Sequence, residues 1–195
     1  MFDIGVVQGR FQVFHNDHLK YIIAARERCR HLVTAVTNPD PFLTRDDESA
    51  PHRGLPRNNP LTYFERYAMV KAVLLDQGFA PQAFSVTPLP INFPELYRFY
   101  VPLDAVFFLT IYDDWGRRKL LHFQGQGLKT EILWEKPPCE KGITGEDVRR
   151  RIIDGRPWEH LVPPAAARLL KKWDLPRRLA CLEAPENGRD PAPSL

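Results

Sequence analysis

The sequence predicts an α/β protein: a doubly wound, parallel, five-stranded sheet with helices on both faces. Two observations carry that prediction. Five short apolar runs rich in β-branched or aromatic residues recur along the chain, and segments with helical spacing lie between them. Strand-helix alternation of this kind implies parallel strands joined by right-handed crossovers, with ligands bound beyond the carboxyl ends of the strands.

The first run, Ile4 to Gln8, precedes a helix marked by Leu19, Ile22, Ile23, Arg26 and Cys29, and Leu32 to Thr37 forms the second strand. The next helix is well delimited: Thr62 and Glu65 form a T-x-x-E capping box, Met69, Val70, Val73 and Leu74 supply an apolar face, and Gly78 ends it. Strands follow at Ala83 to Leu89 and Ala105 to Thr110, then a helix from about Asp114 to Phe123 and a fifth strand at Thr130 to Trp134. A helix from Thr144 to Gly155 has a hydroxyl N-cap and a terminal glycine, and Pro163 and Pro164 open a last one over Ala165 to Trp173.

At 195 residues the chain suits one domain, read as 1–180. Residues 181–195 read as a disordered tail, because the stretch from Glu183 lacks periodic apolar positions and carries several of the 19 prolines. A net charge of +3 is too small to argue for a nucleic-acid partner. Cys29, Cys139 and Cys181 show no CxxC spacing, which indicates neither a disulfide framework nor a zinc site. The first apolar run is too short for a signal peptide and no stretch approaches about 18 apolar residues, so a cytoplasmic protein with no membrane partner is expected.

Residues 8–19, QGRFQVFHNDHL, join the first strand to the first helix. Gly9 permits close backbone approach, and a helix N-terminus just beyond offers unpaired N–H groups to an anion. His15 and His18, three apart, can face the same side, so two donors would meet one phosphate.

GRFQVFHNDH resembles the GRFQPxHxGH signature of the HxGH nucleotidyltransferase superfamily, and especially archaeal-type nicotinamide mononucleotide adenylyltransferases. Ile143 to Arg149, ITGEDVR, resembles that family's ISGTxIR, and Asn59-Pro60-Leu61-Thr62 with Glu65 and Arg66 is similar to its NPFTxxER segment. The resemblance covers roughly residues 4 to 170 and implies a Rossmann-like fold. It implies that His15, His18 and Arg149 are catalytic, binding the triphosphate, with Gly9, Arg10, Phe11, Ile143, Thr144 and Gly145 as nucleotide-binding residues. The implied reaction is in-line adenylyl transfer from ATP to nicotinamide or nicotinic acid mononucleotide with release of pyrophosphate. Mg²⁺ would be carried by ATP without protein ligands, and the chain is expected to form a homo-oligomer. Alternatives are transfer to another phosphorylated acceptor, phosphopantetheine-like or CTP-dependent, and a catalytically silent nucleotide sensor. A weaker one is a nucleic-acid module on Lys171-Lys172 and Arg177-Arg178.

Three positions depart from the motifs. Asp17 replaces the glycine of HxGH and is expected to face solvent; Val13 replaces the proline, which would loosen the loop; Glu146 stands where a hydroxyl is common. On the acceptor side, Tyr112, Trp115 and Asn92 are candidates, an aromatic being able to stack on a pyridine ring. Of Arg149-Arg150-Arg151, one is expected to face the site and two to face water. Arg66 reads equally as a ligand contact or as a surface partner of Glu65 or Glu27, while His52, His122 and His160 read as structural. Arg45 and Arg53 belong to a polar loop, 45–59, expected to be solvated.

Overall fold

The computed structural model describes residues 1–43 and 56–183. Its elements are β1 (Phe2–Gly9), α1 (Asn16–Arg26), β2 (Cys29–Thr37), α2 (Tyr63–Asp76), β3 (Phe84–Leu89), β4 (Val106–Ile111), α3 (Asp114–Gly125), β5 (Lys129–Glu135), α4 (Gly145–Ile153), α5 (Pro164–Lys172) and α6 (Leu175–Glu183). The strands lie in the order β3-β2-β1-β4-β5, every pair parallel. The predicted doubly wound sheet is therefore present, with the order reversing between β1 and β4, where such sheets open a crevice.

Alternation along the central strands divides the core in two. Val7, Leu32, Val36 and Phe108 face one side, packed with Ile22 of α1, Met69, Val70 and Val73 of α2, Val148 of α4 and Leu170 of α5. Val6, Val33, Ala35, Phe107 and Leu109 face the other, against Phe123 of α3 and Tyr97 of the turn before β4. Helices thus cover both faces, unequally.

Two boundaries differ from expectation. Cys29 opens β2 rather than closing α1, because the helix ends at Arg26 and the chain turns within two residues. Residues 181–183, read as part of a tail, belong to α6, which runs to Glu183; residues 184–195 lie outside the described ones. The reason α6 forms is tertiary. Its Leu175 and Leu179 are buried in the first core, and Arg178 makes a two-pronged ion pair with Glu65 (2.8 and 2.9 Å) and donates to the Pro60 carbonyl at 3.0 Å. That occupies one arginine of the basic stretch, and Lys171 is paired with Glu159. Among the described residues, no helix is long and apolar enough to cross a membrane.

Candidate active site

The loop after β1 is held from inside. Phe11 adopts φ 52, and its fully buried ring stacks on Phe14 (5.4 Å between centroids) and meets the His18 ring edge-on at 4.9 Å. A side chain at Gly9 would strike that ring, its Cβ lying 2.8 Å from a Phe11 carbon, so the glycine lets the aromatic fold under the backbone. Phe11 therefore supports His18, and it also lines the cleft at this end of the sheet. Val13 is fully buried too, and the Gln12 amide exchanges two hydrogen bonds with the Leu61 backbone (2.8 and 2.9 Å). The loop that Val13 was expected to loosen is instead anchored by packing and by this clamp.

α1 begins where the loop ends, with His15 as N-cap. The imidazoles of His15 and His18 stack, centroids 3.7 Å apart and planes at 26°, and His18 Nδ1 accepts from the His15 backbone N–H at 3.3 Å. That bond makes Nε2 the N–H donor of neutral His18. Burial lowers His15 to about 4, against the weaker opposing charges of Asp17 and Asp147, and holds His18 well below its usual value with help from His15 and Arg10. Both rings are neutral near pH 7. His15 is 6% exposed, and its Nδ1 has no hydrogen-bond partner among the described residues.

Arg66 is neither a surface residue nor the partner of Glu65 or Glu27. It is 2% exposed and donates to five backbone carbonyls: Thr62 (3.3 Å), Arg10 (3.0 Å), Thr37 (2.8 Å), Asn38 (2.8 Å) and Pro39 (3.2 Å). Burial brings its guanidinium down to about 10, so it stays charged. One side chain thereby ties the loop after β1 to the loop after β2.

The second motif arrives at the same place. Gly145 opens α4 so close to the first loop that a Cβ there would lie 2.6 Å from the Gln12 carbonyl oxygen. Thr144 caps the helix, but its hydroxyl and N–H both bond the Asp147 carboxylate (2.6 and 2.9 Å). Arg149 is 5% exposed, lines the cleft, and donates to the Gln12 carbonyl and, at 3.1 Å, to Asn58 Oδ1; burial lowers its pKa. Arg150 is exposed, and Arg151 donates to the Pro157 carbonyl at the surface. Glu146 is exposed and only loosely paired with Arg150, at 3.9 Å.

Asp17 does not point to solvent. Its carboxylate accepts from the Ile143 N–H at 2.6 Å and pairs with Lys20 at 2.8 Å, because the chain leading into α4 crosses the N-terminus of α1. Burial alone would raise this carboxyl, but the Lys20 and Ile143 bonds outweigh it and hold it below the usual range. Asp17 thus joins the two motifs.

These groups surround a cleft of about 840 Å³ at the carboxyl ends of β1 and β4. His15, His18, Gly9, Arg10, Ile143, Thr144 and Gly145 line one part of it; Asn92, Tyr112 and Trp115 line another. Tyr112 accepts a hydrogen bond from Trp134 Nε1 at 2.8 Å, and Lys119 lies over the Trp115 ring at 4.8 Å. His122 also lines the cleft, within 3.2 Å of Tyr97 Oη, whereas His160 contributes only a carbonyl to Asn16. His52, Arg45 and Arg53 lie outside the described residues. Sequence reasoning missed Gln8, Gln12, Lys119 and Lys141. For Lys119 there was a signal, four residues beyond Trp115 on one helix face. Among the described residues, no three His, Cys, Asp or Glu side chains gather as metal ligands.

The fold and motifs are those of a nucleotidyltransferase of the HxGH superfamily. The chain is 47% identical over 175 residues to the phosphonoformate cytidylyltransferase of Streptomyces viridochromogenes, covering 90% of this chain and 94% of that one, and it belongs to that enzyme's family. It is 26% identical over 177 residues to the nicotinamide-nucleotide adenylyltransferase of Thermococcus kodakarensis (86% and 82% covered) and 27% identical over 171 residues to that of Pyrococcus furiosus. No protein-family model matches the chain. In fold it resembles the bifunctional NMN adenylyltransferase/ADP ribose pyrophosphatase of Francisella tularensis, with a TM-score of 0.65 at 16% identity, across 93% of this chain and 52% of that one; it thus spans about half of that protein.

Proposed function

We propose that this enzyme transfers a cytidylyl group from CTP to a small phosphonate, phosphonoformate or a close analogue, and releases pyrophosphate. The observation that carries this reading is the 47% identity maintained over 94% of a relative of that activity, against 26% to 27% for the adenylyltransferases. A phosphonate oxygen attacks the α-phosphorus of CTP in line; the bond from that phosphorus to the β-phosphate oxygen breaks, and pyrophosphate leaves with the electron pair. Catalysis of this kind is positioning and electrostatics.

The chain's own groups suit those tasks. Neutral His15 and His18 present N–H donors at the N-terminus of α1, where a developing charge on the α-phosphate would also meet the helix dipole. The first turn of α4 would receive the β- and γ-phosphates, with Arg149 fixing its distance from the first loop. Mg²⁺ arriving on the triphosphate would neutralise part of its charge.

A second reading, adenylyl transfer to a pyridine mononucleotide, is favoured by the archaeal relatives and by Tyr112 and Trp115 in the cleft. Pyrophosphate release decides between them, measured with CTP and with ATP against phosphonoformate, nicotinamide mononucleotide, nicotinic acid mononucleotide, phosphopantetheine and a blank. Turnover of CTP with phosphonoformate is expected. Turnover only of ATP with a pyridine mononucleotide would reverse the assignment, and binding without any turnover would return the silent sensor.

A further inference from the structure

Three N–H groups at the start of α4 already have side-chain acceptors. Thr144 N–H donates to Asp147 Oδ2 at 2.9 Å, Asp147 N–H to Thr144 Oγ1 at 3.2 Å, and Ile143 N–H to Asp17 Oδ2 at 2.6 Å. Val148 N–H then opens the helical ladder on the Thr144 carbonyl. Among the described residues, the N–H groups of Gly145 and Glu146 have no acceptor, and both residues line the cleft. His15, whose Nδ1 has no partner among the described residues, lines it as well.

Two of the three bonds are the capping box of α4 itself, which forms wherever threonine at the N-cap meets aspartate at the third helical position. The bond to Asp17 is of another kind, because it reaches from the first turn of α1, 126 residues earlier. Lys20 Nζ holds the other carboxylate oxygen at 2.8 Å and so offsets a charge that would repel a triphosphate. A Cβ at Gly142 would overlap the carboxylate, so the glycine leaves room for it. Further along the same segment, Gly145 packs on the Gln12 carbonyl, to which Arg149 also donates. The chain entering α4 is thus fixed to the first loop at one point and to α1 at another, and the second depends on Asp17.

We infer that Asp17 is a positioning residue for the triphosphate: it holds the start of α4 beside the start of α1, so that the Gly145 and Glu146 N–H groups and the histidine pair meet one ligand. The inference rests on the proposed nucleotidyl transfer and gives a role to the residue that replaces the motif's glycine.

Asp17→Ala removes the carboxylate, whereas Asp17→Asn keeps an oxygen that can accept from Ile143. With CTP and phosphonoformate, Asp17→Ala should raise the KM for CTP about 10- to 100-fold, the loss of one hydrogen bond to a charged acceptor. The KM for phosphonoformate should stay as it was, and Asp17→Asn should recover much of the loss. Should Asp17→Ala fail to fold, Gly142→Ala, in an exposed segment, displaces the carboxylate from outside and should give the same selective rise. A carboxylate serving stability alone would lower the thermal midpoint and leave the two KM values in proportion. An unchanged or lower KM for CTP, an equal rise for both substrates, or no recovery in Asp17→Asn overturns the inference while leaving the reaction assignment intact. If the natural protein does not turn over CTP and phosphonoformate, that assignment fails, and calorimetry with CTP or ATP and Mg²⁺ then decides Asp17. Binding of either triphosphate that Asp17→Ala weakens and Asp17→Asn recovers upholds the positioning role; equal binding by the natural protein and Asp17→Ala, or binding by neither, removes it.

Discussion

Arg66 and His15 are both basic and both buried, and both bear on the loop after β1, yet they are treated in opposite ways. Arg66 meets five carbonyls with its five N–H groups' worth of donors and is complete as it stands. His15 is 6% exposed and, among the described residues, leaves Nδ1 with no partner. A buried polar atom without a hydrogen bond costs about 1 to 3 kcal/mol, which a fold retains where something else offsets it. The guanidinium of Arg66 is fully used in tying loops together, whereas the imidazole of His15, which lines the cleft, keeps hydrogen-bonding capacity unused among the described residues.

The sharpest way to break this comparison is His18→Ala. If the histidine pair stabilises charge during transfer, turnover should fall about 100- to 1000-fold, the usual effect of removing one such donor, with little change in thermal midpoint. A variant that melts early and turns over normally would mean that the pair is structural.

Arg66→Met should do the reverse. Five carbonyls would lose their donor, and a destabilisation of about 3 kcal/mol is expected, lowering the thermal midpoint by roughly 6 to 12 °C in a chain of this size. Denaturant unfolding measures it directly, and an unchanged midpoint would show that water replaces the guanidinium at no cost.

The smallest effect is pH-dependent. His15 titrates at about 4 folded, below its ordinary value near 6.5, so the unfolded chain binds the proton first as pH falls. Stability is thus full above about pH 6.5 and declines below it, by about 2 kcal/mol between pH 7 and pH 5 from this group. The carboxyls held low, Asp17, Asp147 and Glu65, lose their contribution only at still lower pH, as it falls through the ordinary carboxylate range and on through their depressed folded pKa values. His15→Gln should flatten the slope between pH 7 and pH 5; an equal slope in that variant would assign it elsewhere.

The sequence by itself determined the sheet and the chemistry's raw materials. Strand-helix alternation, the Thr62–Glu65 capping box and two phosphate-type motifs at helix starts are local patterns, and local patterns survive translation into structure because neighbouring residues in the chain create them. The burial of Arg66 was not read from the sequence, although it stands one turn before Met69 and Val70 on the apolar stripe of α2. What only tertiary structure decided are the pairings of distant segments. Asp17 turned from solvent to the Ile143 N–H, 126 residues away, Gln12 received Arg149, and α6 formed where Arg178 could reach Glu65. A carboxylate beside water has no preferred direction until a second segment brings an N–H to it, and which segment comes near is set by the winding of the sheet rather than by residues 15 to 18.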